Sequence, residues 1–324
     1  MHAGPLAAHD LVASYGRRVA LDRVSISVGP GRTLAVVGPS GAGKTTLLRV
    51  IAGLLCPRSG DVTLAGRSIV HAPPQRRRIA FVFQDDALFN NMTVRANLRF
   101  ALRTNGPSSS ALLSETATAL HVAGVLDRRP RELSGGERQR ASMARALLSD
   151  PLALLMDEPL AHLDPSLRRT VRDEVVGLRQ RFPGPIVYVT HDHAEAMSVG
   201  DELAVLIDGR IEDGGDPAVV FDSPRTIAVA RFLGDRPMNV LDGDPLLGIR
   251  PEHVRVVEGA ELRGRVTRRE PTGADAYVVV ETARGDVTAR VPAGLAVRPG
   301  DNVNLEFPAE FVRRFDRASG VALR

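Results

Sequence analysis

The stretch GPSGAGKTT spans residues 38–46 and directly follows the apolar run TLAVV at 33–37. Its three glycines allow a tight turn in which several backbone N–H groups point toward one anion. The stretch also holds Lys44, the only lysine in the chain, whereas the other 41 of the 42 basic residues are arginines. An ammonium is a compact charge on a flexible stem, and it fits where a planar guanidinium does not. We therefore predict a strand, a loop that holds phosphate groups, and a helix.

The residues GPSGAGKT match the pattern G-x-x-x-x-G-K-S/T, which between a strand and a helix predicts a nucleotide-binding loop. We expect Lys44 to contact the β- and γ-phosphates of ATP and the Thr45 hydroxyl to bind Mg²⁺. A glycine-rich turn without a ligand is the alternative, and the flanking strand and helix argue against it. The residues of this loop that are expected to contact the nucleotide are Gly38, Ser40, Gly41, Gly43, Lys44, Thr45 and Thr46.

Two adjacent carboxylates end the apolar run LALLMDEP at 152–159. Open α/β sheets bind their ligands at the carboxyl ends of strands, which is where these side chains would lie. Asp157 is predicted to hold Mg²⁺, and Glu158 to orient and deprotonate the attacking water. A strand end followed by a turn would explain the residues DEP by themselves, but this alternative loses weight beside the loop at 38–46.

The composition is that of a globular protein, since 44% of the 324 residues are hydrophobic and 25% are charged. The formal net charge is +4, but 38 acidic residues are interspersed along the chain, so we expect no nucleic-acid partner. Arg76, Arg77 and Arg78 are predicted to form a solvated charged face. The single cysteine, Cys56, cannot form an internal disulfide, and no apolar run is long enough to span a bilayer.

Continuous apolar runs of strand length suit a parallel sheet that is covered on both faces by helices. Such runs lie at 33–38, 79–84, 152–159 and 186–192. The predicted fold class is therefore α/β, with a mostly parallel sheet in a phosphate-loop (P-loop) core. After residue 235, short alternating segments punctuated by glycine and proline predict a small all-β, barrel-like domain. We place the first domain at 1–235 and the second at 236–324.

The segment LSGGERQRASMARALLSDP at 133–151 resembles the signature of ATP-binding-cassette ATPases. Its residues Ser134, Gly135 and Gly136 are expected to form a second N–H-rich turn at a helix N-terminus, which favours an anion. In this family two copies associate head to tail, so that the signature of one copy faces the phosphate loop of the other. The resemblance thus implies a homodimer, an antiparallel β subdomain, and a helical subdomain at about 86–150.

Three further residues resemble functional elements of this family. Gln84 corresponds to the residue that senses Mg²⁺ and water, His191 to the switch histidine that contacts the γ-phosphate, and Tyr15 to the aromatic that stacks on adenine. The resemblance therefore implies catalytic roles for Glu158, His191 and Gln84, and metal binding by Thr45, Gln84 and Asp157.

Asp164, in the segment LAHLD, resembles the residue that couples the two nucleotide sites across the dimer. The preceding Ala161 and His162 replace the Ser/Asn pair that is more usual in the family. His191 and His193 could instead suggest a metal pair, but the sequence offers no third ligand nearby. We therefore favour the switch role for His191.

The C-terminal segments GDRPMNVL, LGIRPEHVRV and RRFDRASGVAL resemble the regulatory β-barrel (TOBE) domain of importer ATPases for sugars and glycerol phosphate. The resemblance implies an ATP-hydrolysing subunit that energises uptake of such a solute. Its partners would be two membrane permease subunits and an extracytoplasmic solute-binding protein, which places it at the cytoplasmic face of the membrane. The residues FNN at 89–91 replace the Phe/Tyr-Pro-His that is more common in the family.

The sequence was weighed against several other functions. Importers for an inorganic anion, ferric ion or a polyamine carry related extensions, so the same role with such a solute is the first alternative. A nucleic-acid-linked cassette ATPase would carry a long coiled coil between Lys44 and Ser134, where only about 90 residues stand. A translation-associated protein would carry two cassettes, and a non-catalytic regulatory binder would not need Lys44, Asp157 and Glu158 together.

Overall fold

A computed structural model describes residues 4–84, 87–102, 107–161, 163–260 and 262–323. Contacts within the chain divide it into two compact units, Met1–Pro217 and Ala218–Arg324.

The N-terminal unit contains both strands and helices. The strands are β1 Leu6–Tyr15, β2 Arg18–Val28, β3 Thr33–Val37, β4 Ser59–Leu64, β5 Arg67–Ser68, β6 Ile79–Val82, β7 Ala153–Asp157, β8 Ile186–Val189, β9 Glu202–Ile207 and β10 Arg210–Gly215. The helices are α1 Lys44–Ala52, α2 Pro74–Arg77, α3 Val94–Ala101, α4 Pro107–Ala119, α5 Gly135–Leu148, α6 Pro165–Arg181 and α7 His193–Val199.

The main sheet of this unit has the strand order β10-β9-β3-β8-β7-β6. Neighbouring strands are parallel, except for β10, which is antiparallel to β9. Every residue of β3, β7 and β8 is buried, as expected for strands that are covered on both faces. The predicted α/β class and mostly parallel sheet are confirmed. The carboxyl ends of β3, β7 and β8 therefore lie side by side at one edge.

Alternate residues of these strands point into two separate cores. On one face, Leu155 of β7 and Val187 of β8 pack with α1 and with the antiparallel sheet β2-β1-β4-β5. On the other face, Met156 and Tyr188 pack with residues of α3, α4, α5 and α6. Because the side-chain period of a strand is two, this alternation fixes the pairing register of the sheet.

Arg77 corrects one expectation from the sequence. The run at 76–78 is not a solvated face, because Arg77 is only 3% exposed. Its guanidinium donates hydrogen bonds to the carbonyls of Val50 and Ile51 at 2.8 Å each, at the C-terminal end of α1. Two further bonds reach the carbonyls of Val70 and Ala72. Cations are favourable at helix C-termini, so the buried arginine completes the end of α1.

The range 86–150, where the resemblance places a helical subdomain, contains α3, α4 and α5. The buried Asn97 of α3 fixes the segment that leads into these helices, since its side chain accepts a hydrogen bond from the Phe89 N–H at 2.7 Å. It also donates to the carbonyls of Phe89 and Thr93 at 3.1 and 3.0 Å. The bounds of the subdomain stay a prediction.

The C-terminal unit is rich in β structure. Its strands are β11 Asn239–Leu241, β12 Leu246–Ile249, β13 Arg255–Val257, β14 Leu262–Pro271, β15 Asp275–Thr282, β16 Gly285–Pro292, β17 Asn302–Glu306, β18 Arg313–Phe315 and β19 Ala322–Leu323. The helix α8 Pro217–Asp222 leads into the unit and is followed by α9 Ile227–Phe232.

Two antiparallel sheets, β11-β12-β18-β19 and β13-β17-β14-β15-β16, build this unit around an apolar core that is rich in valine. The all-β expectation for the C-terminal region is thereby confirmed. The buried Arg250 holds α8 and α9 to the sheets, because its guanidinium donates to the carbonyls of Phe221 and Leu233 at 2.7 Å each. Residues 218–235 consequently pack with the C-terminal unit. The sequence places the domain boundary after residue 235 instead, and that boundary remains a prediction.

Within the described ranges, no helix is both long enough and apolar enough to cross a membrane.

The buried guanidinium gives a prediction about stability. Arg77→Ala leaves four carbonyls without their donor, so we expect the free energy of unfolding to fall by about 3 kcal/mol or more. The neighbouring Arg76 is exposed, and Arg76→Ala should change it by less than about 0.5 kcal/mol. Urea unfolding of the two variants measures the difference, and equal stabilities would contradict the role of Arg77.

Candidate nucleotide-binding site

The phosphate loop runs from the end of β3 to the start of α1. The Lys44 ammonium is only 6% exposed and donates hydrogen bonds to the carbonyls of Gly38 at 2.7 Å and Pro39 at 3.1 Å. Burial lowers the pKa of Lys44, while the nearby carboxylates of Glu158 and Asp157 act in the opposite direction. An ammonium has three N–H donors, so one remains that can bind an anion.

Gly43 shows why this loop needs glycine. Its φ is +109°, and a Cβ at this position would lie 2.4 Å from the Ala20 carbonyl oxygen. Gly43 is also the N-cap residue of α1, and it has no side chain that could cap the helix. The first N–H groups of an α-helix have no partner within the helix, and together with the helix dipole they favour an anion.

Thr45 and Asp157 bring the loop and β7 together. The Thr45 hydroxyl donates a hydrogen bond to the Asp157 carboxylate at 3.2 Å. Burial raises the pKa of Asp157, and the hydrogen bond from Thr45 works against this rise. A hydroxyl and a carboxylate in contact are hard oxygen donors of the kind that Mg²⁺ prefers.

Glu158 and His191 join the ends of β7 and β8. The Nδ1 atom of His191 lies 2.9 Å from the Glu158 carboxylate, and 58% of the His191 side chain is exposed. Glu158 has a left-handed main chain with φ 45°, and its N–H donates to the Val189 carbonyl at 2.9 Å. A conformation that costs about 1–3 kcal/mol persists only where surrounding contacts enforce it, and such residues cluster at functional sites.

A pocket of about 500 Å³ lies above the phosphate loop. The structure brings eight of the sixteen predicted site residues together around this pocket. The predicted residues that line this pocket are Tyr15, Ser40, Gly41, Gly43, Lys44, Thr45, Thr46 and Glu158. Tyr15 is 47% exposed, and its hydrogen bond with the Thr46 side chain lowers its pKa. An exposed aromatic ring at the pocket can stack on a base.

Arg18 and Ala20 also line the pocket, and the sequence did not point to them. Arg18 pairs with Tyr15 across the turn between β1 and β2. Its Nη2 atom lies 3.4 Å from the position that a Cβ on Gly41 would occupy. The guanidinium therefore adds a second positive charge beside the loop. The only sign of Arg18 in the sequence was its position three residues after Tyr15, the residue expected to stack on adenine.

Other predicted residues lie outside this pocket as far as the chain is described. Gln84 is exposed and follows β6 by two residues, at the same edge of the sheet. Asp164 precedes α6, and its carbonyl accepts a hydrogen bond from the Arg168 N–H at 2.9 Å. His162, part of the departure noted in the LAHLD segment, lies outside the described residues, whereas Ala161 donates its N–H to the Glu158 carbonyl at 3.2 Å.

The signature turn forms at the start of α5, likewise away from the residues that line the pocket. Ser134 is the N-cap residue: its Oγ accepts from the Glu137 N–H at 3.3 Å, and its own N–H donates to the Glu137 carboxylate at 2.7 Å. This N–H lowers the pKa of Glu137. Gly135 and Gly136 are the first helical residues. The reciprocal capping box fixes the turn before any ligand binds.

Two family models and several known proteins match the sequence of this chain. The model of the ABC transporter family matches residues 21–161, and that of the TOBE domain matches 247–315. An sn-glycerol-3-phosphate import ATP-binding protein UgpC of Rhizobium johnstonii is 40% identical over 295 residues, which cover 84% of this chain and 85% of that protein.

The chain belongs to the ATP-binding-cassette (ABC) transporter family. It is therefore a nucleotide-binding protein and an ATPase of the P-loop class. A second UgpC, from Ruegeria sp. (strain TM1040), is 37% identical over 96% of this chain and 97% of its own length. ATP-binding proteins of Brucella abortus (strain 2308) and Brucella suis biovar 1 (strain 1330), whose names state no solute, are 36% identical over the same shares.

A solved structure agrees with this membership. The ADP conformation of an ATP-binding cassette of an ABC transporter superposes with a TM-score of 0.61 at 27% identity, and it covers 68% of this chain and 96% of that one. The similarity covers about the length of one cassette.

The position of Arg18 gives a prediction about this cassette. Arg18→Ala removes a positive charge that lines the pocket beside the phosphate loop, so we expect the affinity for ATP to fall about tenfold. Arg17→Ala is the matched control, because Arg17 is the adjacent exposed residue of the same turn and does not line the pocket. Titration calorimetry measures both variants, and equal losses would contradict a contact that is specific to Arg18.

Proposed function

We propose that this chain is the ATP-hydrolysing subunit of an importer that takes up glycerol phosphate or a carbohydrate through separate membrane permeases. Relatives named as sn-glycerol-3-phosphate import ATP-binding proteins, 37–40% identical over most of this chain, support the solute class. The observation that carries the hydrolytic role is the pair of contacts Thr45–Asp157 and Glu158–His191 beside Lys44. These contacts join the ends of three parallel strands around one pocket.

Mg²⁺ fits the donor set of this pocket. Thr45 and Asp157 would hold the ion, with Gln84 at the neighbouring strand end as a further ligand, and the ion would neutralise charge on the phosphates. Within the described chain no three His, Cys, Asp or Glu side chains form a metal cluster.

The residues around the phosphates have separate tasks in hydrolysis. The ammonium of Lys44 and the N–H groups of the loop bind the β- and γ-phosphates, and the phenol ring of Tyr15 stacks on adenine. The Glu158 carboxylate orients a water and accepts its proton. His191 keeps the Glu158 carboxylate in place through Nδ1 and leaves its other ring nitrogen for contact with the γ-phosphate. Phosphoryl transfer needs mainly this positioning and charge stabilisation.

A second copy of the chain would complete the site. The signature turn of Ser134, Gly135 and Gly136 is preformed but does not line the pocket of its own chain. In a head-to-tail homodimer it would contact the γ-phosphate bound by the partner, and Asp164 would couple the two sites. ATP then stabilises the closed dimer because it binds that state more tightly than the open one.

Exposed aromatic residues support a membrane partner. Phe89 and Phe100 are 40% and 67% exposed, and they contact each other edge to face beside the Arg145 guanidinium. Adjacent exposed aromatic rings, rather than singly exposed ones, are a feature of surfaces that bind another protein. We infer that one permease subunit docks here on each of the two copies of the chain. This would place the chain at the cytoplasmic face of the membrane, and an extracytoplasmic solute-binding protein would deliver the solute from the other side.

The role of Glu158 can be tested in purified protein. Glu158→Gln keeps the shape of the side chain but removes the base, so ATP hydrolysis should fall by about 10²- to 10⁴-fold while ATP still binds and drives dimerisation. Lys44→Ala is the contrasting variant and should neither bind ATP nor dimerise. Phosphate release and light scattering measure the two properties. Turnover near the wild-type rate in Glu158→Gln would remove Glu158 from this role.

The transport function requires the whole assembly. The chain is copurified with its permeases, reconstituted into vesicles with the solute-binding protein, and supplied with Mg²⁺ and ATP. We expect ATP-dependent accumulation of labelled sn-glycerol-3-phosphate or a carbohydrate, and none with Lys44→Ala. Accumulation of sulfate, ferric ion or a polyamine instead would overturn the proposed solute class.

A further inference from the structure

A buried carboxylate lies directly behind the loop that carries His191. Glu195 is in the first turn of α7, and only 4% of its surface is exposed. The Tyr188 hydroxyl donates a hydrogen bond to its Oε1 atom, and the Thr190 hydroxyl donates to its Oε2 atom at 3.2 Å. The two oxygens of one side chain therefore hold a residue of β8 and the residue just before His191.

Both neighbours of His191 belong to the same hydrogen-bond cluster. The Asp192 N–H donates to the Thr190 hydroxyl at 3.1 Å, and the Asp192 carboxylate accepts from the Glu195 N–H at 2.9 Å. The main chain is thus fixed on each side of His191. The His191 side chain itself points out of the cluster to the Glu158 carboxylate.

The strands on either side fix where this cluster begins. The Thr190 N–H donates to the Val36 carbonyl of β3 at 3.2 Å, and the Val189 carbonyl accepts from the Glu158 N–H at 2.9 Å. The peptide before His191 is therefore held between the strand that leads into the phosphate loop and the strand that ends in Glu158. The main chain after Thr190 leads into α7. Glu195 connects α7 to Thr190 and to Tyr188 of β8.

Packing alone does not account for a carboxylate at this position. Burial raises the pKa of Glu195, and the hydrogen bond from Tyr188 opposes this rise. Buried charged groups carry a desolvation cost of several kcal/mol, and an apolar side chain of similar volume often gives equal stability. The N-terminus of α7 is already capped by Asp192. What the carboxylate adds is a fixed geometry for two hydroxyl groups, one on each side of Val189.

We propose that Glu195 is a positioning residue, which acts through Thr190 and Asp192 to hold His191 at Glu158 and at the nucleotide. The inference rests on the proposed role of His191 in ATP hydrolysis. Without the carboxylate, the Tyr188 and Thr190 hydroxyls lose their common acceptor, so the Thr190 hydroxyl that binds the Asp192 N–H is no longer fixed. A displacement of about 1 Å at a group that contacts reacting atoms can reduce the rate by about 10²-fold.

The first test compares rate and binding in the full chain. In Glu195→Ala we expect kcat for ATP hydrolysis to fall about 10- to 100-fold, with KM changed by less than about twofold, because the Lys44 contacts are untouched. Glu195→Gln keeps an acceptor oxygen and should recover most of kcat. Tyr188→Phe removes one donor to the carboxylate, and Thr190→Val removes the other donor together with the acceptor of the Asp192 N–H, each with little change in volume. They keep the test decisive if Glu195→Ala does not fold, and each should lower kcat without changing KM.

A double-mutant cycle separates positioning from stability. If Glu195 acts through His191, then Glu195→Ala made in the His191→Ala background should lower kcat by less than about a further twofold. The matched control is Asp201→Ala at the opposite end of α7, where Asp201 accepts from the Thr33 N–H at 2.8 Å and from Arg179 at 2.5 Å. This control should lower the melting temperature but leave kcat and its dependence on His191 unchanged.

The possible outcomes separate the positioning role of Glu195 from the ATPase function of the chain. Additive losses from Glu195→Ala and His191→Ala, or a loss in KM alone, would overturn the positioning role while leaving the ATPase function intact. A loss of kcat in the Asp201 control equal to that in Glu195→Ala would do the same, because stability would then explain both. A wild-type chain without ATPase activity, or a His191→Ala variant with full kcat, would overturn the proposed function and this inference with it.

Discussion

The parallel pairing of β3, β8 and β7 is the constraint on which the rest of the N-terminal unit depends. Strand β3 leads into the phosphate loop, β7 ends in Asp157, and β8 is followed by the loop of His191. Since parallel strands bring their carboxyl ends to one edge, three segments that are distant in sequence meet there. A shift of one residue in β7 or β8 would exchange the side chains that face the two cores, so the packing of both cores protects the register of the site.

The charges of the site are in place before a ligand binds. The Lys44 ammonium lies on carbonyls of its own loop, and the Thr45 hydroxyl already contacts Asp157. Burial disfavours the charged forms of both Lys44 and Asp157. A bound polyanion would favour the charged form of Lys44, and its cation would favour the charged form of Asp157. A site of this kind stabilises developing charge without first reorganising its own dipoles.

The sequence predicted most of the N-terminal architecture, because continuous apolar runs of strand length indicate strands that are covered on both faces. It also predicted the loop chemistry, since Lys44 stands alone among arginines. Arg77 was missed because its partners are backbone carbonyls, which leave no mark in a charge pattern. Arg18 and Glu195 were missed for a related reason: each acquires its role from neighbours that only the folded chain supplies. The capping box at Ser134 was readable, because Glu137 follows at the required spacing.

Helix α1 carries a cation at both ends. Lys44 lies in its first turn, and the Arg77 guanidinium donates hydrogen bonds to the carbonyls of Val50 and Ile51 at its end. Departure of a product therefore removes only one of the contacts that keep this helix in position. Both ends of the helix are therefore fixed by contacts within the chain itself. A loop that is ordered by its own contacts has less conformational entropy to lose when it binds a ligand.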